Sequence, residues 1–197
     1  GMVDAGPPAD AGNAMLCFDP GLNDYRPLVR PVVGDLVITE MMPDPSAAAD
    51  AVGEWVEVLA KNTIDWNGVS VAGNSGVITI TSPNCVRTDA GFLAVFARNM
   101  DPFTNGNLPP PFGVGPIGLN NTNGVLNVFT DGGNLDNVLW TASTAGRSRQ
   151  LDVTKQDDVQ NDVQANFCDA RLDAGIFLAD GGPGDKGTPG MPNHVCP

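Results

Sequence analysis

Short segments in which apolar and polar residues alternate recur along the chain from residue 34 onward. "DLVITEMM" (35–42), "EWVEVLA" (54–60) and "GVITIT" (76–81) are rich in β-branched and aromatic residues, a pattern typical of half-buried strands. "GFLAVFARN" (91–99) is apolar enough for a strand buried on both faces. These segments predict a β-rich domain.

The second half of the chain continues the pattern. "GVLNVFTDGG" (124–133) and "LDNVLW" (135–140) indicate a hairpin around a Gly-Gly turn, and "SRQLDV" (148–153) indicates a further strand. Only "TKQDDVQNDVQANF" (154–167) is a helix candidate, and an extended loop is the equal alternative. With a strand near 69–71 included, about seven to nine short strands and little helix predict an all-β fold, an antiparallel sandwich or barrel.

Two segments differ from this pattern in composition. Residues 1–16, "GMVDAGPPADAGNAML", contain little to bury and predict a flexible spacer, either downstream of a lipid anchor or another domain, or as a frayed terminus. Residues 17–197 are then expected to form a single domain. "MDPFTNGNLPPPFGVGP" (100–116) is too long for a simple turn. Its Phe103 and Phe112 either face a partner or cap one end of the fold.

The charge balance bears on the class of partner. The chain has 23 acidic and 10 basic residues and a net charge of −13. Nucleic-acid binding depends on Lys and Arg that displace counterions from phosphates, so neither a nucleic acid nor an anionic membrane surface is an expected partner. No apolar run reaches the roughly 18 residues that a transmembrane helix requires.

Four cysteines bear on the cellular compartment: Cys17, Cys85, Cys168 and Cys196. None belongs to a CxxC pair, and His194 is the only histidine, so a tetrahedral zinc site is disfavoured. An even number of widely spaced cysteines among turn residues favours two disulfides and an extracytoplasmic location. The residues themselves leave all three connectivities open.

The distribution of glutamate raises the question of a catalytic site. Only Glu40, Glu54 and Glu57 are glutamates among the 23 acidic residues. Strict alternation places Glu57 on one face of its strand and Glu54 on the other, and places Glu40 on the face of Leu36 and Ile38. At least one glutamate is therefore expected beside the core.

A carboxylate beside the core is costly unless it is paired. The favoured interpretation is three structural carboxylates that accept hydrogen bonds from loop amides, Arg98 or Arg147. The alternative is a carboxylate pair that performs acid–base chemistry or holds a cation.

Two loops are weak calcium candidates. "PDPSAAADAVGE" carries Asp44, Asp50 and Glu54, and "DGGNLDN" carries Asp131 and Asp136. Neither has the spacing of an EF-hand, and Asp is an ordinary turn residue. No cofactor is therefore expected, with calcium as the alternative. "GRSRQ" (146–150) lacks the second glycine of a nucleophile elbow, so no catalytic residue is assigned.

Several motifs together resemble a known family. "GDLVITEMMPDP" (34–45) is similar to the family's opening strand, and "GEWVEVLAKNT" (53–63) to its Glu-Trp-Ile/Val-Glu strand. In "IDWNGVSV" (64–71), Trp66 and Val69 depart from the usual Leu and Trp. Four more motifs follow in order, and they are "DAGFLAVFARN" (89–99), "LDNVLW" (135–140), "GRSRQLD" (146–152) and "GTPGMPN" (187–193). Over residues 34–193 the chain thus resembles the lamin tail domain family, in its bacterial exported form.

This resemblance implies an immunoglobulin-like β-sandwich. It also implies a Cys168–Cys196 disulfide and, with it, Cys17–Cys85, so that both terminal arms are tethered. The expected function is a non-catalytic exported module for binding or envelope structure, with a protein or a cell-envelope component as partner. The alternative is a calcium-binding extracellular hydrolase, or its accessory domain, that uses Glu40, Glu54 and Glu57.

Overall fold

The computed structural model describes residues 15–172, 176–177 and 184–197, with the backbone alone described at 176 and 177. Residues 1–14, most of the predicted spacer, lie outside this range. Within it the chain forms sixteen β-strands, one four-residue α-helix and two 3-10 turns. No helix in the described part of the chain has the length and apolar character needed to cross a membrane.

The strands, in chain order, are β1 (Leu16–Asp19), β2 (Asp24–Pro27), β3 (Leu36–Met42), β4 (Trp55–Ala60), β5 (Ile64–Asp65), β6 (Ser70–Ala72), β7 (Val77–Thr79), β8 (Arg87–Thr88), β9 (Leu93–Ala97), β10 (Gly113–Val114), β11 (Gly124–Thr130), β12 (Gly133–Trp140), β13 (Arg149–Leu151), β14 (Phe167–Asp169), β15 (Ile176–Phe177) and β16 (Asp185–Lys186). Helix α1 spans Asp50–Gly53, and the 3-10 turns span Val153–Lys155 and Gln164–Asn166.

Two larger sheets contain most of the long strands. One has six strands in the order β10-β9-β4-β3-β13-β14, and the other has four in the order β12-β11-β6-β7. Pairing is antiparallel except between β9 and β10. The predicted all-β antiparallel sandwich is confirmed. The strand number exceeds the prediction in part because β5, β8, β10, β15 and β16 have only two residues each, too few to show a period in the sequence. In addition, β1 and β2 were not predicted.

The facing sides of the two sheets form the main hydrophobic core. Residues from both sheets are almost fully buried there, among them Leu36, Ile38, Val58 and Phe96 from the first and Val71, Leu126, Val128 and Val138 from the second. The opposite side of the six-stranded sheet carries a second apolar cluster, which consists of Met42, Trp55, Val95, Ala97 and Leu108. Both faces of β3 and β4 are therefore buried, as their fully buried patterns show.

A β-bulge at Thr39 changes which face Glu40 occupies. Ile38 pairs with Val58 and Glu40 pairs with Glu57, so Thr39 is an extra residue on β3. One inserted residue reverses the alternation beyond it. The sequence prediction that Glu40 shares a face with Leu36 and Ile38 is therefore wrong, because Glu40 lies on the outer side of the sheet, beside Glu57.

The segment 154–167 contains no α-helix. Its two 3-10 turns are separated by irregular backbone, and the Asp152 carboxylate caps the first by accepting the Thr154 N–H at 2.8 Å. The loose spacing of its apolar residues explains why no longer helix forms, since helical stability depends mainly on an apolar face that packs.

The two phenylalanines of the long loop have different environments. Phe103 is 86% exposed. Phe112 instead packs edge-on against Trp66, Phe92 and Phe96, with ring centroids 5.1, 5.4 and 5.9 Å away. Phe112 thus caps one end of the core, and only Phe103 remains available to a partner.

Candidate functional site

The structure brings Glu40 and Glu57 together as a cross-strand pair on β3 and β4. Both side chains are completely buried. They lie beneath residues 187–193, the "GTPGMPN" segment, which crosses the outer face of the six-stranded sheet. We call this segment the C-terminal tail.

Glu40 accepts four hydrogen bonds. Its Oε1 accepts from the Ser148 hydroxyl, from Gln150 Nε2 at 3.0 Å and from the Thr188 N–H at 2.9 Å. Its Oε2 accepts from Thr188 Oγ1 at 2.9 Å. Both oxygens are therefore occupied by donors of the chain itself.

Glu57 makes the second connection to the tail. Its Oε2 accepts the Gly190 N–H at 2.7 Å, and its Oε1 lies 2.7 Å from Thr39 Oγ1. The Asn193 amide completes the attachment by donating to the carbonyls of Thr39 and Leu151, at 2.8 and 3.0 Å. We refer to this group of residues as the carboxyl clasp, and its members are Glu40, Glu57, Ser148, Gln150, Thr188, Gly190 and Asn193.

The carboxyl clasp unites four of the motifs found in the sequence, and "GDLVITEMMPDP" supplies Glu40. "GEWVEV" supplies Glu57, "GRSRQ" supplies the Ser148 and Gln150 donors, and "GTPGMPN" supplies the tail. Gly187 has no room for a side chain, since a Cβ there would lie 2.9 Å from Glu40 Oε1 and 3.0 Å from Ser148 Oγ.

Burial determines the protonation of the pair. It raises the pKa of Glu40, and the hydrogen bonds from Ser148, Thr188 and Gln150 oppose that rise. Burial and the neighbouring Glu40 carboxylate raise the pKa of Glu57 to about 8. Since Glu57 has fewer donors, we assign the proton of the pair at neutral pH to Glu57.

The Thr39 hydroxyl fits a protonated Glu57. It lies 2.7 Å from Glu57 Oε1 and 3.4 Å from the Glu57 carbonyl oxygen. The hydroxyl can therefore accept the carboxyl proton and donate to the carbonyl.

Glu54 lies in a separate environment. Its Oε2 accepts from Arg98 Nη1 at 2.8 Å and from the Leu119 N–H at 3.1 Å. Burial raises the pKa of Glu54, while Arg98 opposes the rise. Of the two arginines named from the sequence, Arg98 does pair with a glutamate, whereas Arg147 donates to the Ala170 carbonyl at 2.6 Å.

The calcium candidates are dispersed. Asp44 and Asp50 both accept from Asn121 Nδ2, at 3.1 and 3.2 Å. Asp131 forms an exposed ion pair with Arg30. In residues 15–172 and 184–197, three close metal-ligating atoms occur only at Cys17, Asp65 and Cys85, where both cysteines are in a disulfide.

Asp136 has a structural role. Its Oδ2 accepts the Ile38 N–H and Asn161 Nδ2, both at 2.7 Å, beside the Thr39 bulge. Burial raises the pKa of Asp136 to about 7, although these bonds oppose the rise. Asp136 thus joins β12 of one sheet to β3 of the other.

A further buried carboxylate holds the N-terminal arm, and the sequence analysis missed it. Arg26 donates to both oxygens of Asp65, at 2.6 and 2.8 Å, and to Asp19 at 2.6 Å. The Cys17–Cys85 disulfide lies beside them. We call Arg26, Asp65 and this disulfide the N-terminal clamp. Asp65 directly follows the Thr63-Ile64 pair, and no feature of the local sequence singles it out.

Both disulfides have the pairing that the family resemblance implied. Cys17 and Cys85 have Cα atoms 4.9 Å apart, and Cys168 and Cys196 have Cα atoms 5.7 Å apart. The first joins β1 to the segment before β8. The second joins β14 to Cys196, three residues beyond the C-terminal tail.

The outer side of the four-stranded sheet contrasts with the acidic chain as a whole, because it bears no charge. We call it the uncharged sheet face, and its residues are Ser70, Ala72, Val77, Thr79, Val125, Asn127, Phe129, Asn134, Asn137 and Leu139. Leu139 and Val77 are exposed. Within the described part of the chain, the side-chain amides of its three asparagines form no hydrogen bond.

No family model, curated protein or solved structure matches this chain.

Proposed function

We propose that this chain is a non-catalytic, extracytoplasmic binding module of the lamin tail type, with an immunoglobulin-like sandwich as its scaffold. The observation that carries the proposal is the state of the three glutamates. Glu40, Glu54 and Glu57 are each buried and bonded to donors of the chain itself. Acid–base catalysis on an external substrate, or the binding of a cation, would need them to meet in a solvent-filled cleft with free lone pairs.

The two disulfides support an extracytoplasmic location, since such bonds persist mainly in oxidising compartments. They also support a structural interpretation of the terminal arms. Cys17–Cys85 tethers the arm that precedes the sandwich, and Cys168–Cys196 tethers the tail that follows it. A rigid module with both arms attached suits the presentation of a fixed surface.

The uncharged sheet face supports a choice of partner. In a chain with a net charge of −13, a face without charged groups favours a neutral partner, because charged groups are costly to desolvate in an interface. Its unpaired Asn127, Asn134 and Asn137 amides offer donors and acceptors, and Val125 and Leu139 offer apolar contact. We therefore propose a neutral, hydroxyl-rich component of the cell envelope as partner.

Co-sedimentation with insoluble uncharged polysaccharides, chitin and cellulose, tests this proposal. The wild type is expected to sediment with at least one of them, and the variant Asn127→Asp/Asn137→Asp is expected to remain in solution. The control Asn84→Asp/Gln156→Glu adds the same two charges elsewhere and should bind like the wild type. Binding that the first variant retains, or that the wild type lacks with both polysaccharides, would contradict the proposed surface.

A further inference from the structure

Within the carboxyl clasp, a hydroxyl and a side-chain amide are in direct contact. Thr188 Oγ1 lies 2.6 Å from Gln150 Nε2. The Glu40 carboxylate bridges the two groups, with Oε1 3.0 Å from Gln150 Nε2 and Oε2 2.9 Å from Thr188 Oγ1. A nucleophile, an electrophilic carboxamide and a base therefore share one buried site.

We propose that Thr188 and Gln150 form an intramolecular ester cross-link, with Glu40 as the proton carrier. Thr188 Oγ1 attacks Cδ of Gln150, and Glu40 removes the hydroxyl proton as the new C–O bond forms. Glu40 then delivers this proton to the amide nitrogen, and the C–N bond breaks to release ammonia. The products are one ester and one ammonia molecule, with no change of oxidation state and no other reactant.

Amides are ordinarily unreactive toward hydroxyl groups, but the surroundings of Gln150 favour this step. Two groups held in contact react as if at very high concentration. The leaving nitrogen of an amide must be protonated, and Glu40 Oε1 already accepts a hydrogen bond from it. The site also excludes water, since Glu40 and Gln150 are fully buried and Thr188 is 8% exposed. Exclusion of water protects the ester from hydrolysis.

One unsatisfied atom is consistent with the cross-link. Gln150 Oε1 is buried and has no hydrogen-bond donor in the described part of the chain. An amide carbonyl is a strong acceptor, so its isolation is costly. An ester carbonyl is a weaker acceptor, and conversion of the amide to the ester reduces that cost.

The position of the cross-link indicates a structural role for it. Gln150 pairs with Cys168 across β13 and β14, and Cys196 Sγ lies 3.7 Å from the Gln150 carbonyl oxygen. The ester would therefore fasten the C-terminal tail next to the Cys168–Cys196 disulfide. Unlike the disulfide, it would survive a reducing agent.

The intact mass of the folded wild-type chain, measured after denaturation and reduction, tests the proposal. The expected mass is about 17 Da below the sum of the residues, which corresponds to one ammonia. After trypsin, peptides 150–155 and 187–197 should remain joined. A loss of ammonia from the separate peptide 150–155 would not be evidence for the ester, because the N-terminal glutamine of that peptide can cyclise and lose ammonia by itself.

Variants assign the roles of the side chains. Thr188→Val, Gln150→Glu and Glu40→Gln are expected to show no mass loss, whereas Thr188→Ser retains the hydroxyl and should still cross-link. Ser148→Ala is the control and should still show the mass loss, because Ser148 donates a hydrogen bond to Glu40 but contributes no atom to the ester.

A wild-type mass equal to the residue sum would overturn the proposal without any variant. So would an ammonia loss that maps to Asn67-Gly68, Asn105-Gly106 or Asn123-Gly124, since Asn-Gly sequences lose ammonia by forming a succinimide. A mass loss that persists in Thr188→Val would also exclude the ester.

Discussion

The carboxyl clasp and the N-terminal clamp attach the two ends of the domain by opposite electrostatic means. Each contains a buried carboxylate, and a disulfide forms part of the clamp and lies next to the clasp. In the clamp, Asp65 faces a guanidinium and remains ionised, whereas in the clasp Glu40 and Glu57 face only neutral donors and each other. The difference shows that a buried acid takes its charge state from its partners, and that burial alone does not decide it.

The pKa shifts express this contrast. Burial alone would raise the pKa of Asp65, but the hydrogen bonds from Arg26 and the Val29 N–H outweigh it and lower the pKa. In the clasp burial prevails, and the pKa of Glu57 rises to about 8. The clamp therefore contributes stability above the unfolded pKa of its aspartate and loses it in acid. The clasp contributes most below the unfolded pKa of glutamate and loses stability as the pH rises toward 8.

The largest expected effect is at Glu40. Glu40→Ala removes the acceptor of four buried hydrogen bonds and leaves a cavity, and we expect a loss of about 3–5 kcal/mol in the free energy of unfolding. Urea denaturation at pH 7 measures it. The control Ser148→Ala removes one donor and should cost about 1 kcal/mol. Equal losses in the two variants would show that the other donors contribute nothing.

At the N-terminal clamp, Arg26→Ala leaves the Asp65 carboxylate buried without its cation. We expect a loss of about 2–4 kcal/mol at pH 7, which shrinks in acid as Asp65 becomes protonated. Urea titrations at pH 7 and pH 4 measure it. A loss that is the same at both pH values would break the comparison, because the clamp would then not act through charge.

The pH dependence of stability sharpens the comparison. Between pH 5 and pH 8 the folded chain holds a proton on Glu57 that the unfolded chain has released, so the melting temperature should fall as pH rises. Glu57→Gln imitates the protonated acid, because its carbonyl can accept from Gly190 and its amide can donate to Thr39. In this variant the loss of unfolding free energy between pH 5 and pH 8 should be smaller than in the wild type by on the order of 1–3 kcal/mol.

Glu57→Gln should still lose some stability as the pH rises, since burial also raises the pKa of Asp136 to about 7. A wild type that is more stable at pH 8 than at pH 5 would contradict the assignment of the proton.

The smallest effect is expected at the Arg30–Asp131 ion pair. Asp131 is 60% exposed and Arg30 is 39% exposed, so the pair provides a surface reference for the clamp. Asp131→Ala should change the free energy of unfolding by less than about 0.5 kcal/mol in urea denaturation. A cost similar to that of Arg26→Ala would mean that burial is not what strengthens the clamp.

Most of the fold could be predicted from the sequence, but the geometry of the carboxyl clasp could not. Strands β3, β4, β9, β11 and β12 follow from alternation and β propensity. The bulge was missed because strict alternation was assumed through "LVITEMM". The apolar residues that reach the core there are Leu36, Val37, Ile38 and Met41, and the step of three residues from Ile38 to Met41 was the available signal.

The clamp and the clasp also depend on contacts that no local pattern encodes. The Glu40–Thr188 hydrogen bond spans 148 residues and the Arg26–Asp65 pair spans 39. The motifs "GRSRQ" and "GTPGMPN" identified segments that matter, but their convergence on one carboxylate required the folded chain. Arg98 was named from the sequence, and it does pair with Glu54.

The long reach of the C-terminal tail has a consequence for biogenesis. Until residues 187–193 have been synthesised, Glu40 lacks the Thr188 donors and Glu57 lacks the Gly190 N–H, so the outer face of the sheet stays open over two acids that have only part of their hydrogen bonds. Nascent chains would therefore gain their full stability only once the tail has emerged. Such late closure suits the extracytoplasmic location proposed above, because a chain that is not yet closed can pass through a translocation channel.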